Sequence, residues 1–153
     1  MARVHGAVPD AHVLVVDDAS PDGTGDLVER MAADDPKLHQ LRPPGKAGLG
    51  SAYRAGFRWG AAERFDVLVE MDADLSHDPA ALPSLLARVD DGADLAIGSR
   101  YVPGGGVSNW SRDRLLLSRF ANAYVRIATG LSVRDATAGY RCWRRTVSHS
   151  IST

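Results

Sequence analysis

Val67-Leu68-Val69-Glu70-Met71-Asp72-Ala73-Asp74 is a short Val- and Leu-rich run that stops at two carboxylates. A brief apolar run bounded by polar residues reads as a buried strand, and Asp72 marks where the chain leaves its sheet. Just beyond, Asp78-Pro79 opens a helix, because Pro suits the first helical turn. Leu82, Leu85, Leu86 and Val89 keep helical spacing there. The same grammar appears upstream. His12–Val16 predicts a strand ending at Asp17-Asp18, and Ser20-Pro21-Asp22-Gly23 is turn chemistry. Thr24 caps a helix to about Asp34, with Leu27, Val28 and Met31 on its inner face. Lys37–Leu41 is a weaker strand, Pro43-Pro44-Gly45 opens a loop, and Gly48–Ala62 predicts a helix burying Leu49, Ala52, Tyr53, Phe57 and Trp59. Downstream come a strand over Ala93–Gly98, a flexible loop at Pro103-Gly104-Gly105-Gly106 and a helix from about Arg112 to Thr129. The chain from Val133 reads as irregular, with a short strand near Tyr140–Trp143.

Strands alternating with helices predict an α/β fold, a mostly parallel sheet flanked by helices. In such sheets ligands bind beyond the carboxyl ends of the strands, which is where both acidic pairs fall. With no repeat, linker or low-complexity tract, the 153 residues read as one domain, residues 1–153. Hydrophobic residues at 44% and charged ones at 24% fit a globular protein. A lone Cys142 leaves no internal disulfide and no thiolate metal cluster. No run approaches the roughly 18 apolar residues that a membrane span needs, and the N-terminus lacks the layout of a signal peptide.

The net charge of −1 hides a division. Residues 1–98 hold 17 acidic and 9 basic side chains; residues 99–153 hold Asp113 and Asp135 against 9 arginines. An arginine-rich segment so short of acids points to an anionic ligand, a phosphate foremost, since the guanidinium fork matches phosphate oxygens.

Asp72-Ala73-Asp74 places two carboxylates at the turn off the sheet, where both can reach a divalent cation; alone it also fits a solvated turn. Asp17-Asp18 can accept hydrogen bonds from a nucleoside, or simply stabilise the turn after it, and by itself the second reading is the better one. Gly45-Lys46-Ala47-Gly48-Leu49-Gly50 fails both the GxxxxGK[ST] and the GxGxxG patterns. Arg100 ends the last strong strand. Arg114 and Ser118 lie four apart on one helix face and can hold one phosphate together. That helix also carries Leu115, Leu116, Leu117, Phe120, Tyr124, Val125 and Ile127. The stripe suits a membrane interface, although periodicity alone favours packing into the core. The five histidines show no metal-ligand spacing, and Trp59, Trp110 and Trp143 read as packing residues.

Taken in order, Val15–Thr24, Gly45–Tyr53, Glu70–Pro79, Gly98–Pro103, Asn109–Asn122 and Asp135–Arg141 resemble the motifs of the polyprenyl-phosphate (dolichol-phosphate) mannosyltransferases, family 2 glycosyltransferases. The resemblance implies a glycosyltransferase-A (Rossmann-like) sheet and inverting transfer of mannose from GDP-mannose to a polyprenyl or dolichyl monophosphate. It implies that Val16 and Asp18 contact the nucleoside, and that Asp72, Ala73 and Asp74 meet the diphosphate and its Mg²⁺ or Mn²⁺. Ser76 stands where the family often has a Gln at the metal. Arg100 is implied at the phosphate beside the transferred sugar, and Arg114 with Ser118 at the acceptor phosphate. Asp74 and Arg100 are thereby the expected catalytic pair. The implied partners are the membrane surface on its cytoplasmic face and a membrane-embedded protein, and no nucleic acid. The family's opening strand and Pro-Thr-Tyr-Asn-Glu motif have no counterpart before Asp17-Asp18, and its later part none after Arg145. The expectation is therefore an incomplete domain. Three other readings compete: a relative using another donor such as UDP-glucose or another acceptor, an inactive truncated domain with residual nucleotide and metal affinity, and a phosphotransfer domain built on Asp72-x-Asp74.

Overall fold

Val13–Val16 (β1) and Leu38–Leu41 (β2) run parallel, Val13 opposite Leu38 and Val16 opposite Leu41. In this computed structural model the described residues are 1–43, 45, 48–102, 112–130, 133 and 135–148, without the side chains of 112, 114, 115, 119 and 148. The expected loop at 103–106, Trp110, and the side chains of Arg114 and Leu115 lie outside them. The chain forms two compact units, one of Met1–Leu68 with the described residues from Trp143, the other of Val69–Cys142. The α/β class with flanking helices is the one expected.

The first unit begins with Ala2–Ala7 (α1). Between the parallel strands runs Thr24–Asp34 (α2), which packs on β2 through Gly25 and Val28. Leu27 and Met31, expected inside, are 51% and 41% exposed. The reason is steric. Gly25 lets the helix approach so closely that a Cβ there would lie 2.5 Å from Asp17 Oδ2 and 2.7 Å from Arg42 Nη2. That contact fixes the helix's rotation, and 25–28–32 becomes the inner stripe. Thr24 is not the cap. Gly23, with φ of 81°, takes that position, and Asp22 Oδ1 accepts from the Thr24 N–H at 3.0 Å. Leu49–Ala62 (α3) buries Phe57 and Gly60, while Leu49, in its first turn, is 67% exposed against expectation. The Phe57 ring meets Trp143 edge-on at 5.9 Å, and Arg145–Ser148 (α6) closes on α3.

Val67–Glu70 (β3), Leu95–Ile97 (β4) and Arg141–Arg144 (β5) form a second sheet in the order β3-β5-β4. In the second unit Pro79–Ala81 makes a 3₁₀ turn, capped by Asp78 Oδ1 accepting from the Ala80 N–H. It leads into Leu82–Asp90 (α4), whose Leu82, Leu85 and Val89 are buried as the spacing predicts. Cys142 is fully buried on β5, and burial pushes its thiol up to about 11. Gly98 lies so close under Tyr140 that a Cβ would come within 2.8 Å of the ring.

Arg112–Thr129 (α5) reverses the core-packed expectation. Leu116, Leu117, Phe120, Tyr124 and Ile127 are 66–85% exposed, whereas Ser118, Ala121, Asn122 and Val125 form the shielded stripe. Asn122, 4% exposed, is tied by hydrogen bonds to Asp135 and Thr137. This polar lock sets the rotation of the helix and turns its large apolar side chains outward. Among the described residues no helix is long and apolar enough to cross a membrane.

Candidate active site

β3 ends at Glu70, and Asp72, Ala73 and Asp74 follow on an exposed turn. The Glu70 carboxylate is held by Arg141 at 3.2 Å, which ties the strand's end to β5. Asp74 Oδ1 accepts from the Ser76 N–H at 2.9 Å. Hydrogen bonding from Ser76 holds the Asp74 carboxyl below its ordinary range, with burial opposing and His77 assisting. Asp74 therefore stays ionised. Leu75 has a φ of 65° and is 80% exposed, an uncommon conformation for a bulky side chain. It bends the chain so that Ser76 comes back to Asp74.

Asp72 Oδ2 lies 3.3 Å from His77 Nε2. The His77 ring leans on Tyr140, centroids 5.0 Å apart, and the Tyr140 hydroxyl donates to the Asp78 carbonyl at 3.2 Å. Burial first, and the charge of Asp78 second, push the Tyr140 phenol up to about 12, so it remains a donor. Gly139 backs Asp72: a Cβ there would sit 2.5 Å from Asp72 Oδ2. His77 and Gly139 were not singled out in the sequence, and only proximity in space reveals them.

Arg100 and Ser118 belong to the same unit. The Arg100 guanidinium forks onto Asp135, Nε to Oδ2 at 2.8 Å and Nη2 to Oδ1, and Nη2 also reaches Thr137 Oγ1 at 2.7 Å. Asp135 is fully buried. Burial raises its pKa, but the Arg100 hydrogen bonds and charge outweigh that and leave the carboxyl below its usual range; Arg100 is raised in turn. The Ser118 hydroxyl oxygen accepts from Tyr101 at 2.7 Å. Arg114, its expected partner, has its side chain outside the described residues. A signal for Asp135 did exist, since an acid among so many arginines is an obvious ion-pair partner.

In the first unit Asp17 is buried and Asp18 half-buried. Asp17 Oδ1 accepts from the Ser20 N–H at 3.0 Å, and Ser20 holds its carboxyl below the ordinary range. Asp18 Oδ2 accepts from the Gly48 N–H at 3.0 Å, at the start of α3. Val16 closes β1 beside Leu41. Next to these residues lies an open cleft of about 340 Å³, lined by Asp17, Ser20, Gly23, Gly25, Arg42 and Pro43 among others.

A family model described as glycosyl transferase family 2 matches residues 4–151. The chain belongs to glycosyl transferase family 2. It is 57% identical over 152 residues to a polyprenol monophosphomannose synthase of Mycolicibacterium smegmatis, an overlap covering 99% of this chain and 57% of that protein. It is 56% identical over 144 residues to an undecaprenyl-phosphate mannosyltransferase of Micrococcus luteus, covering 94% and 59%. A dolichol-phosphate mannosyltransferase of Pyrococcus furiosus is 38% identical over 141 residues, covering 91% and 39%. This glycosyl transferase family 2 chain thus spans less than three-fifths of the length of each of these relatives.

Proposed function

We propose that this chain carries the diphosphate and lipid-phosphate sites of an inverting mannosyltransferase that moves mannose from GDP-mannose to a polyprenyl monophosphate. The observation that carries the reading is the exposed Asp72-Ala73-Asp74 turn beyond β3, in a family 2 chain with relatives named as a polyprenol monophosphomannose synthase and an undecaprenyl-phosphate mannosyltransferase.

Among the described residues no three His, Cys, Asp or Glu side chains form a closed cage. Two exposed carboxylates on one turn, one of them held ionised, still suit Mg²⁺ or Mn²⁺, which rest on one or two carboxylates and complete their shell with water and substrate phosphate. Asp72 and Asp74, with the Ser76 hydroxyl, would hold the ion, which supplies positive charge against a departing diphosphate. Val16 and Asp18 are assigned to the nucleoside, Arg100 to the phosphate beside the sugar, and Ser118 with Arg114 to the acceptor phosphate. That acceptor is already an anion at neutral pH. Catalysis is then mostly placement of its oxygen and electrostatic relief of the leaving group. A lipid acceptor also accounts for α5, whose exposed Leu116, Leu117, Phe120, Tyr124 and Ile127 would lie on the cytoplasmic membrane surface.

Radiolabelled GDP-mannose, Mg²⁺ and undecaprenyl phosphate with the folded chain should yield labelled lipid. Transfer only from UDP-glucose would change the donor, and no transfer from either would defeat the reading.

A further inference from the structure

Asp135, Asn122 and Tyr101 have no assigned part in the chemistry, yet they join Arg100 and Ser118 into one closed circuit. Asp135 accepts from the Arg100 backbone N–H at 2.9 Å as well as from the guanidinium. A fully buried carboxylate persists when it is matched this completely. Asn122 Nδ2 donates to the Ser118 carbonyl at 2.9 Å and reaches Thr137 Oγ1 at 3.2 Å and Asp135 Oδ1 at 3.4 Å. Its Oδ1 accepts from the Thr137 N–H at 3.4 Å. Tyr101 completes the ring, with its hydroxyl on Ser118 Oγ and the Arg100 Cζ lying 5.6 Å from its ring centroid.

We propose that Asp135, Asn122 and Tyr101 are positioning residues that hold Arg100 and Ser118 in one rigid frame, so that both are presented to phosphate in a fixed mutual arrangement. The Tyr101 proton occupies a lone pair of Ser118 Oγ, which leaves the serine's own proton to be donated to a phosphate oxygen. The Asp135 fork likewise fixes the plane of the Arg100 guanidinium. None of the three positioning residues needs to touch substrate. The proposal rests on the reading above in one respect, that Ser118 meets the acceptor phosphate.

Tyr101→Phe is the sharpest test, because it removes one oxygen and keeps the ring beside Arg100. Farnesyl phosphate is titrated calorimetrically into the full chain without donor, and transfer kinetics are measured separately. The variant should bind farnesyl phosphate about 3–10-fold more weakly, as loss of one orienting hydrogen bond implies. Its acceptor KM should rise to match, while the KM for GDP-mannose and the unfolding midpoint stay put. Asp135→Asn, if it folds, should lower kcat as well as raise the acceptor KM, because the arginine plane is released. Unchanged binding in folded Tyr101→Phe overturns the frame, as do equal losses for both substrates or no binding by the parent chain. Binding that weakens as expected in a chain that transfers no mannose would uphold the frame and sink the mannosyltransferase reading instead.

Discussion

Asp17-Asp18 and Asp72-Ala73-Asp74 follow β1 and β3 in the same way, and each turn holds a non-glycine residue at positive φ, Ala19 at 59° and Leu75 at 65°. Their surroundings differ. Asp17 is 7% exposed, beneath Gly25 and beside Arg42, and Asp18 reaches back to the start of α3. Asp72 and Asp74 are exposed, Asp74 accepting from the Ser76 N–H and Asp72 lying 3.3 Å from His77 Nε2. The first pair holds its unit's loops together; the second presents charge to solvent. Equivalent positions in strand–turn grammar therefore differ in exposure according to what packs over them.

The largest expected effect comes from the second pair. Asp74→Ala should lower mannosyl turnover by about 10²-fold or more, the usual scale for lost leaving-group stabilisation, with the unfolding midpoint unchanged. An active Asp74→Ala enzyme in the radiolabel assay would break the comparison at its root. Asp17→Ala should do the opposite, lowering the melting midpoint by about 2–4 °C, the scale for one lost hydrogen bond in a chain of this size.

The two glycines offer a matched pair. Gly139→Ala drives a methyl into Asp72, and Gly25→Ala drives one into Asp17 and Arg42. Gly139→Ala should cut turnover by up to about 10²-fold, the scale for a side chain displaced by about 1 Å, at little thermal cost. Gly25→Ala should mainly destabilise, by calorimetry. Equal thermal losses in both would erase the distinction.

Acid sharpens it further. Asp135, like Asp17, has a depressed folded pKa, so its stabilising share is fully present above the unfolded value of about 4. That share is lost as pH falls through the depressed folded value. Helix content followed by circular dichroism should hold down to about pH 4 and fall below it, with a flatter acid limb in Asp135→Asn. The smallest effect concerns Cys142. With its thiol at about 11 and fully buried, it should resist a disulfide reagent at pH 8 until the chain unfolds. Early labelling in any variant would report an opened β5.

Short apolar runs closed by acids located β1 and β3, and helical spacing located α4 together with its buried face, because local periodicity and turn chemistry act over a few residues. The family, too, was legible in motifs that hold their order along the chain. The facing of α2 and α5 was not. Gly25 against Asp17, and Asn122 on Asp135 thirteen residues away, set the rotation of each helix, and a hydrophobic stripe records a period without saying which side meets the core. His77 and Gly139 at Asp72, and the Asp135 clamp on Arg100 across 35 residues, arise only when distant segments share one space. Coulomb and steric terms there depend on ångström distances that spacing along the chain does not encode.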